Sequence, residues 1–196
     1  MKKLFTLAIM AVGITAFAQN KINLPETSKG PNIPYEKGYL VEEINNDLYW
    51  VTDGLYNAIF LIYDKGVIMV DAPPTIGNNI FKAIADVTNK PITHLVYTHS
   101  HTDHIGAAGL FPQGVIIIAQ EETKSILEKR NDTRRPVPTV TFKESYTLKL
   151  GKQTLQLDYH GKNHMDGNIF VHAPKQKVLM LVDIVFPGWI TISKPS

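Results

Sequence analysis

No cysteine occurs in the 196 residues. A disulfide framework and a thiolate metal site are both excluded, so any metal held by this chain is bound through nitrogen and oxygen. A surplus of one charge is missing as well: 20 Lys and Arg stand against 18 Asp and Glu, and two of the basic residues are Lys2 and Lys3. Beyond residue 18 the chain is formally neutral, with 18 residues of each sign (20 − 2 against 18). No broad positive charge is available to hold nucleic acid, and none is expected as a partner. Internal repeats and low-complexity tracts are absent, which excludes solenoid and linker-dominated architectures.

The apolar run over residues 4–18 is about 15 residues long, short for crossing a bilayer. It follows Lys2 and Lys3 and ends in Ala16-Phe17-Ala18, the pattern of a secretory signal peptide with cleavage before Gln19. The expectation is an exported protein, periplasmic or secreted. With no cysteine after the cleavage site, it has no lipid anchor.

The length suits one domain with a sizeable core, and 44% hydrophobic with 19% charged residues is the composition of a globular protein. Residues 1–18 read as the signal, 19–38 as an irregular arm rich in Pro and Gly, and 39–196 as the domain. Short β-type runs over 40–44, 48–52, 58–63 and 67–70 are separated by turn residues such as Asp53-Gly54 and Asp64-Lys65-Gly66, which predicts an antiparallel meander. The pattern then changes. A helix is expected over 76–89, a strand up to Tyr97, a short helix over 106–110, a strand over 115–119 and a helix over 121–129. Strands return over 139–142, 146–150, 154–159, 168–172 and 178–185. Meander followed by β-α-β alternation and further strands is an α/β layered plan.

Chemistry concentrates at His99-Ser100-His101-Thr102-Asp103-His104. Composition alone would produce His-x-His-x-Asp-His on the order of once in a few thousand such chains. The segment follows a buried-strand run, so it belongs in the loop at that strand's carboxyl end, where α/β sheets place their sites. In extended chain, side chains two apart point the same way, so His99 and His101 can meet one metal ion, while Asp103 and His104 beyond the bend can reach a second.

This segment resembles the signature loop of the metallo-β-lactamase superfamily, and the resemblance runs over roughly residues 37–190. It takes in Gly161-Lys162-Asn163-His164 and a strand ending in Asp183. The resemblance implies an αββα sandwich of the metallo-β-lactamase type. It also implies a pair of Zn2+ ions, the first on His99, His101 and His164 and the second on Asp103, His104 and Asp183, with Asp183 bridging. Asp71 would be hydrogen-bonded to a metal-binding histidine, Gly106 would allow a close backbone turn, and Asn168 would lie near His164. The implied function is an exported zinc-dependent hydrolase. A metal-bound hydroxide, positioned by Asp103 as catalytic residue, would cleave an amide, ester, lactone or thioester in a small-molecule substrate, a β-lactam among them.

Two departures stand against the family pattern. A subset of the β-lactamases has cysteine at the position of Asp183 and lysine at that of Phe186. The family also takes a further histidine beyond Asp183, whereas His172 is the last one here. The expectation is therefore a sandwich lacking the C-terminal portion of its second half, with a weak second zinc site. A truncated remnant that binds metal without turnover, and a mononuclear iron oxygenase of the same fold, are the alternatives. His94, His160 and His172 are read as structural, and the basic cluster Lys129, Arg130, Arg134, Arg135 as a solvated loop. The turn Asp53-Gly54-Leu55-Tyr56 is read as an apolar lip over the metals.

Overall fold

The computed structural model describes residues 30–185. Residues 1–29, which include the segment read above as a signal, and residues 186–196, which include Phe186, lie outside the described residues. Residues 30–39 contain no strand or helix, only a turn over 35–38. Eleven strands in two sheets follow among the described residues.

The first sheet has the strand order β1-β2-β3-β4-β5-β6-β7. Its meander is β1 (Leu40–Asn45), β2 (Leu48–Thr52), β3 (Asn57–Tyr63) and β4 (Gly66–Val70), all antiparallel. The parallel half is β5 (Ile92–Val96), β6 (Ile116–Gln120) and β7 (Val140–Phe142). The second sheet is antiparallel, with order β11-β10-β9-β8, from β8 (Ser145–Leu150), β9 (Gln153–Asp158), β10 (Phe170–Ala173) and β11 (Val178–Leu181).

Period-two alternation sorts the apolar residues between two cores. Ile59 and Leu61 of β3, Ile68 and Val70 of β4, Val96 and Ile118 face Leu155, Leu157 and Val171 of the second sheet. The intervening residues Phe60, Met69, Leu95, Tyr97 and Ile117 face the helices. Central strands thus read as unbroken apolar runs because both faces are covered. The helical layer holds α1 (Asn79–Ala85), α2 (Thr102–Ile105), a 3-10 turn at Ala108–Leu110 and α3 (Glu121–Arg130). Two facing sheets with helices outside the larger one give an α, β, β order, the mixed α/β sandwich anticipated. No helix covers the outer face of the smaller sheet among the described residues.

Several boundaries differ from expectation. The helix anticipated over 76–89 spans only Asn79–Ala85, its start delayed because Gly77 takes φ +51 in a turn that follows Pro74 and interrupts the helical path. The short helix anticipated over 106–110 is instead α2 followed by the 3-10 turn, so Asp103 and His104 ride on a helical turn. The last strand ends at Leu181 rather than 185, since Asp183 adopts φ +59, which a strand does not tolerate.

Candidate metal centre

β5 delivers the chain to the site, and Asp71 at the end of β4 determines how it arrives. Asp71 is buried and takes left-handed backbone (φ +62). It accepts hydrogen bonds from Thr98 N at 2.8 Å and Thr98 Oγ1 at 2.6 Å. Its bonds therefore go to Thr98, and it reaches His99 through that residue rather than directly, a correction to the expectation above. The threonine hydroxyl has one proton, given to the carboxylate, so at 3.1 Å it accepts from His99 Nδ1–H. This tautomer leaves a bare lone pair on His99 Nε2. Burial pushes the Asp71 carboxyl up to about 7, opposed by the Thr98 bonds and reinforced by Asp183 and Asp103.

That Nε2 is buried without a hydrogen-bond partner. Around it, one ligand atom each from His99, His101, His164 and Asp183 falls within 4.8 Å of every other. His164, in the loop between β9 and β10, places Nε2 3.1 Å from His101 Nδ1. Asp183 Oδ2 lies 3.5 Å from His99 Nε2, 3.4 Å from His164 Nε2 and 3.0 Å from His104 Nε2. One carboxylate therefore faces both the three-histidine group and His104. Burial first, then the neighbouring His104, His101 and His164, drive the His99 pKa down to about 2. Burial and His164 likewise lower that of His101. Neutral imidazoles with an orphaned buried nitrogen suit a divalent cation of the zinc type.

Of the anticipated site residues, His104 and Asp103 lie outside this compact set, and Asp103 is the more distant from it in its contacts. Asp103 touches the set's neighbour His104. Its Oδ2 lies 3.6 Å from His104 Nε2 and accepts the Tyr56 hydroxyl at 3.0 Å. Burial pushes its carboxyl up, but the Tyr56 bond, its own backbone N–H and the neighbouring His104 and His101 prevail, leaving it below the usual range. Tyr56 also meets the His104 ring edge-on at 5.3 Å. The lip thus supplies a hydroxyl to the site as well as an apolar surface, a contact the sequence did not reveal. Leu55, Met180, Val182 and Val185 join Tyr56 around a cleft of about 500 Å³ that opens on Asp103, His104 and Asp183.

Backbone packing holds the segment in place. Ile169 N donates to Thr98 O at 2.9 Å, and Ile105 N to His101 O at 3.1 Å. A Cβ on Gly106 would collide with Thr102 O, the close approach anticipated there. Asn168 is buried near His164 and donates to Val182 O at 3.2 Å, tying the His164 loop to the turn that bears Asp183. The other histidines make ordinary contacts: His94 with Thr93 Oγ1 at 2.8 Å, His172 with Gln156 Oε1 at 2.9 Å, and His160 edge-on to Phe170 at 4.9 Å. The basic cluster does not form a wholly solvated loop: Arg135 is 4% exposed and donates to Ser100 O at 2.7 Å.

A sandwich of two sheets with a histidine and carboxylate cluster at the ends of their strands defines an α/β protein with a metal-type centre. The chain belongs to the metallo-beta-lactamase superfamily, whose family profile matches residues 51–192. It is 28% identical over 163 residues to the 2,4-dinitroanisole O-demethylase subunit alpha of Nocardioides sp. (strain JS1661), covering 81% of this chain and 50% of that protein. It is 29% identical over 193 residues to the metallo-beta-lactamase type 2 of Elizabethkingia meningoseptica, covering 92% and 71% respectively. The chain thus spans half the length of the first relative and 71% of the second. Among solved structures, metallo-beta-lactamase IND-7 matches with TM-score 0.61 at 24% identity, and a metallo-beta-lactamase from Pontibacter korlensis with TM-score 0.63 at 23%. Each alignment covers 72% of this chain and 69% of the other. These likenesses establish the fold.

Proposed function

We propose that this chain is a zinc-dependent hydrolase acting on a carbonyl compound: an amide, ester, lactone or thioester. The observation that carries the reading is the buried, unpartnered His99 Nε2 facing His101, His164 and Asp183 within 4.8 Å. His99, His101 and His164 would hold one ion, and Asp183, His104 and Asp103 a second, with Asp183 shared. Bound zinc supplies acidified water, with a pKa of roughly 7, and a Lewis acid for the carbonyl oxygen. The chain's residues supply the rest. Asp103, kept ionised below the usual range and oriented by the Tyr56 hydroxyl, is placed to orient the attacking water and take its proton. Leu55, Met180 and Val182 offer an apolar wall for the part of the substrate that does not react.

The N-terminal signal pattern supports export as part of the same proposal. Among the described residues no helix is long and apolar enough to cross a membrane. The superfamily match supports a small-molecule substrate without naming it. A relative named for demethylating 2,4-dinitroanisole supports including an activated aryl ether beside the carbonyl substrates.

The test is metal content per chain after exhaustive desalting, followed by turnover of a panel comprising a β-lactam, a lactone, a thioester, an aryl ester and 2,4-dinitroanisole. The expected result is at least one zinc per chain and hydrolysis abolished by chelator. Zinc retained with no turnover of any panel member would favour a binding remnant, and iron with oxygen consumption would favour an oxygenase. No bound divalent metal would overturn the reading.

A further inference from the structure

We propose that Arg135 is a positioning residue of the metal centre, whose buried guanidinium holds the Ser100 carbonyl and thereby sets the angle at which His99 and His101 face a metal ion. The proposal rests on the metal-centre reading above.

Ser100 sits between the two histidines and is buried. Its carbonyl accepts Arg135 Nη1 at 2.7 Å, across 35 residues of sequence. Arg135 Nε donates to Asp132 Oδ2 at 3.0 Å, so the planar fork spans a carboxylate on one side and the metal loop on the other. Burying a guanidinium is costly unless its donors are used. Here the arginine is 4% exposed although the two residues before it lie on the surface.

The other carbonyls of this loop with identified partners are held by backbone: Thr98 O by Ile169 N, and His101 O by Ile105 N. The Ser100–His101 peptide is held by a side chain. Its orientation is transmitted directly to His101, whose Cα lies in that plane, and through the Ser100 Cα to His99. A metal site tolerates only small errors in ligand placement, of about 0.5 Å. Asp132 completes the device. It accepts bonds from Arg134 N at 3.1 Å, Arg134 Nε at 3.0 Å and Arg134 Nη2 at 3.0 Å, and these hold it in position for Arg135. Those contacts, led by the Arg134 side chain, keep the Asp132 carboxyl far below the usual range.

The loop itself does not depend on the guanidinium. Gly109 N donates to Arg134 O at 2.8 Å, Arg135 N to Asp132 O at 2.9 Å, and the Tyr97 hydroxyl to Pro136 O at 3.0 Å. Substitution of the side chain therefore tests positioning with the loop's backbone anchors intact.

The experiment measures zinc affinity of the metal-free full chain by competition with a chromophoric chelator. It compares wild type, Arg135→Met, Arg135→Lys and Arg130→Met, each checked for folding by circular dichroism and thermal midpoint. Partners of metal ligands typically contribute 10- to 100-fold in affinity. Arg135→Met is expected to weaken zinc binding by roughly that factor, and Arg135→Lys by roughly tenfold, since an ammonium cannot reproduce the fork. Arg130→Met, an exposed arginine of the same basic cluster at the end of α3, should bind as wild type. The cobalt(II) form of Arg135→Lys should show an altered visible spectrum, which a purely structural role would not produce. Wild-type affinity in folded Arg135→Met and Arg135→Lys overturns the proposal. If Arg135→Met fails to fold, Arg135→Lys decides alone by the same criterion. A wild-type chain that binds no zinc overturns the metal-centre reading itself, and the role of Arg135 with it.

Discussion

Asp183 Oδ2 lies 3.0 Å from His104 Nε2, joining the turn after the last strand of the smaller sheet to the helix that follows β5 of the larger one. The same oxygen faces His99 and His164, so this contact makes Asp183 the link between the two halves of the centre. Its left-handed backbone brings the carboxylate there, a conformation that aspartate tolerates better than most residues. Strained backbone of this kind is commonly maintained where function requires it.

Asp183→Ala is therefore expected to disturb both metal positions. Zinc affinity should fall at least tenfold, taking the effect of losing an outer partner as the lower bound. Equilibrium dialysis followed by elemental analysis checks this, and wild-type zinc content in the variant would remove Asp183 from the ligand set.

Asp103→Asn separates catalysis from binding. Asp103 stands outside the compact four-residue group, so the variant should keep metal at the three histidines. Loss of a positioned proton acceptor should lower turnover by roughly 10²- to 10⁴-fold. Measured kcat together with metal content distinguishes this result from simple metal loss.

Gly167→Ala tests the support of the His164 loop. Gly167 has φ +75, its carbonyl accepts Thr123 Oγ1 of α3 at 3.1 Å, and an added Cβ would sit 2.5 Å from that hydroxyl. The backbone must shift, at a cost of about 1–3 kcal/mol. Urea denaturation should register the loss, and zinc affinity should weaken with it because the displaced loop carries His164.

Asp71→Asn changes the pH dependence of stability in the metal-free chain. The native carboxyl titrates at about 7, against 3.8 for the free group. Between about pH 4 and 7 the native state keeps a proton that the unfolded chain has released, so this group's contribution to stability declines as pH rises through that window. Asparagine cannot titrate. The variant should therefore gain stability relative to wild type from pH 4 to pH 7, read from urea midpoints at several pH values. Parallel curves would refute the assignment.

Most of the strands were legible because their signal is local. In Ile59-Phe60-Leu61-Ile62 the apolar run and its flanking turn residues identify a strand, whichever sheet finally covers each face. His99, His101, Asp103 and His104 were legible for the same reason, since all four fall within one short segment. His164 and Asp183 were reached through the family resemblance, and their convergence is a property of the folded chain.

What the sequence determined by itself was the alternation that builds two cores, the nitrogen and oxygen character of any metal site, and the crowding of ligands after β5. Only the tertiary structure decided that Arg135 lies buried beside Ser100 while Arg134 stays exposed, and that the Tyr56 hydroxyl reaches Asp103 across 47 residues. It also decided that the final strand stops short, so that Asp183 turns into the centre. Local pattern depends on neighbours two to four positions apart. These contacts depend instead on how two sheets and the loops at their ends come together, which no local window contains.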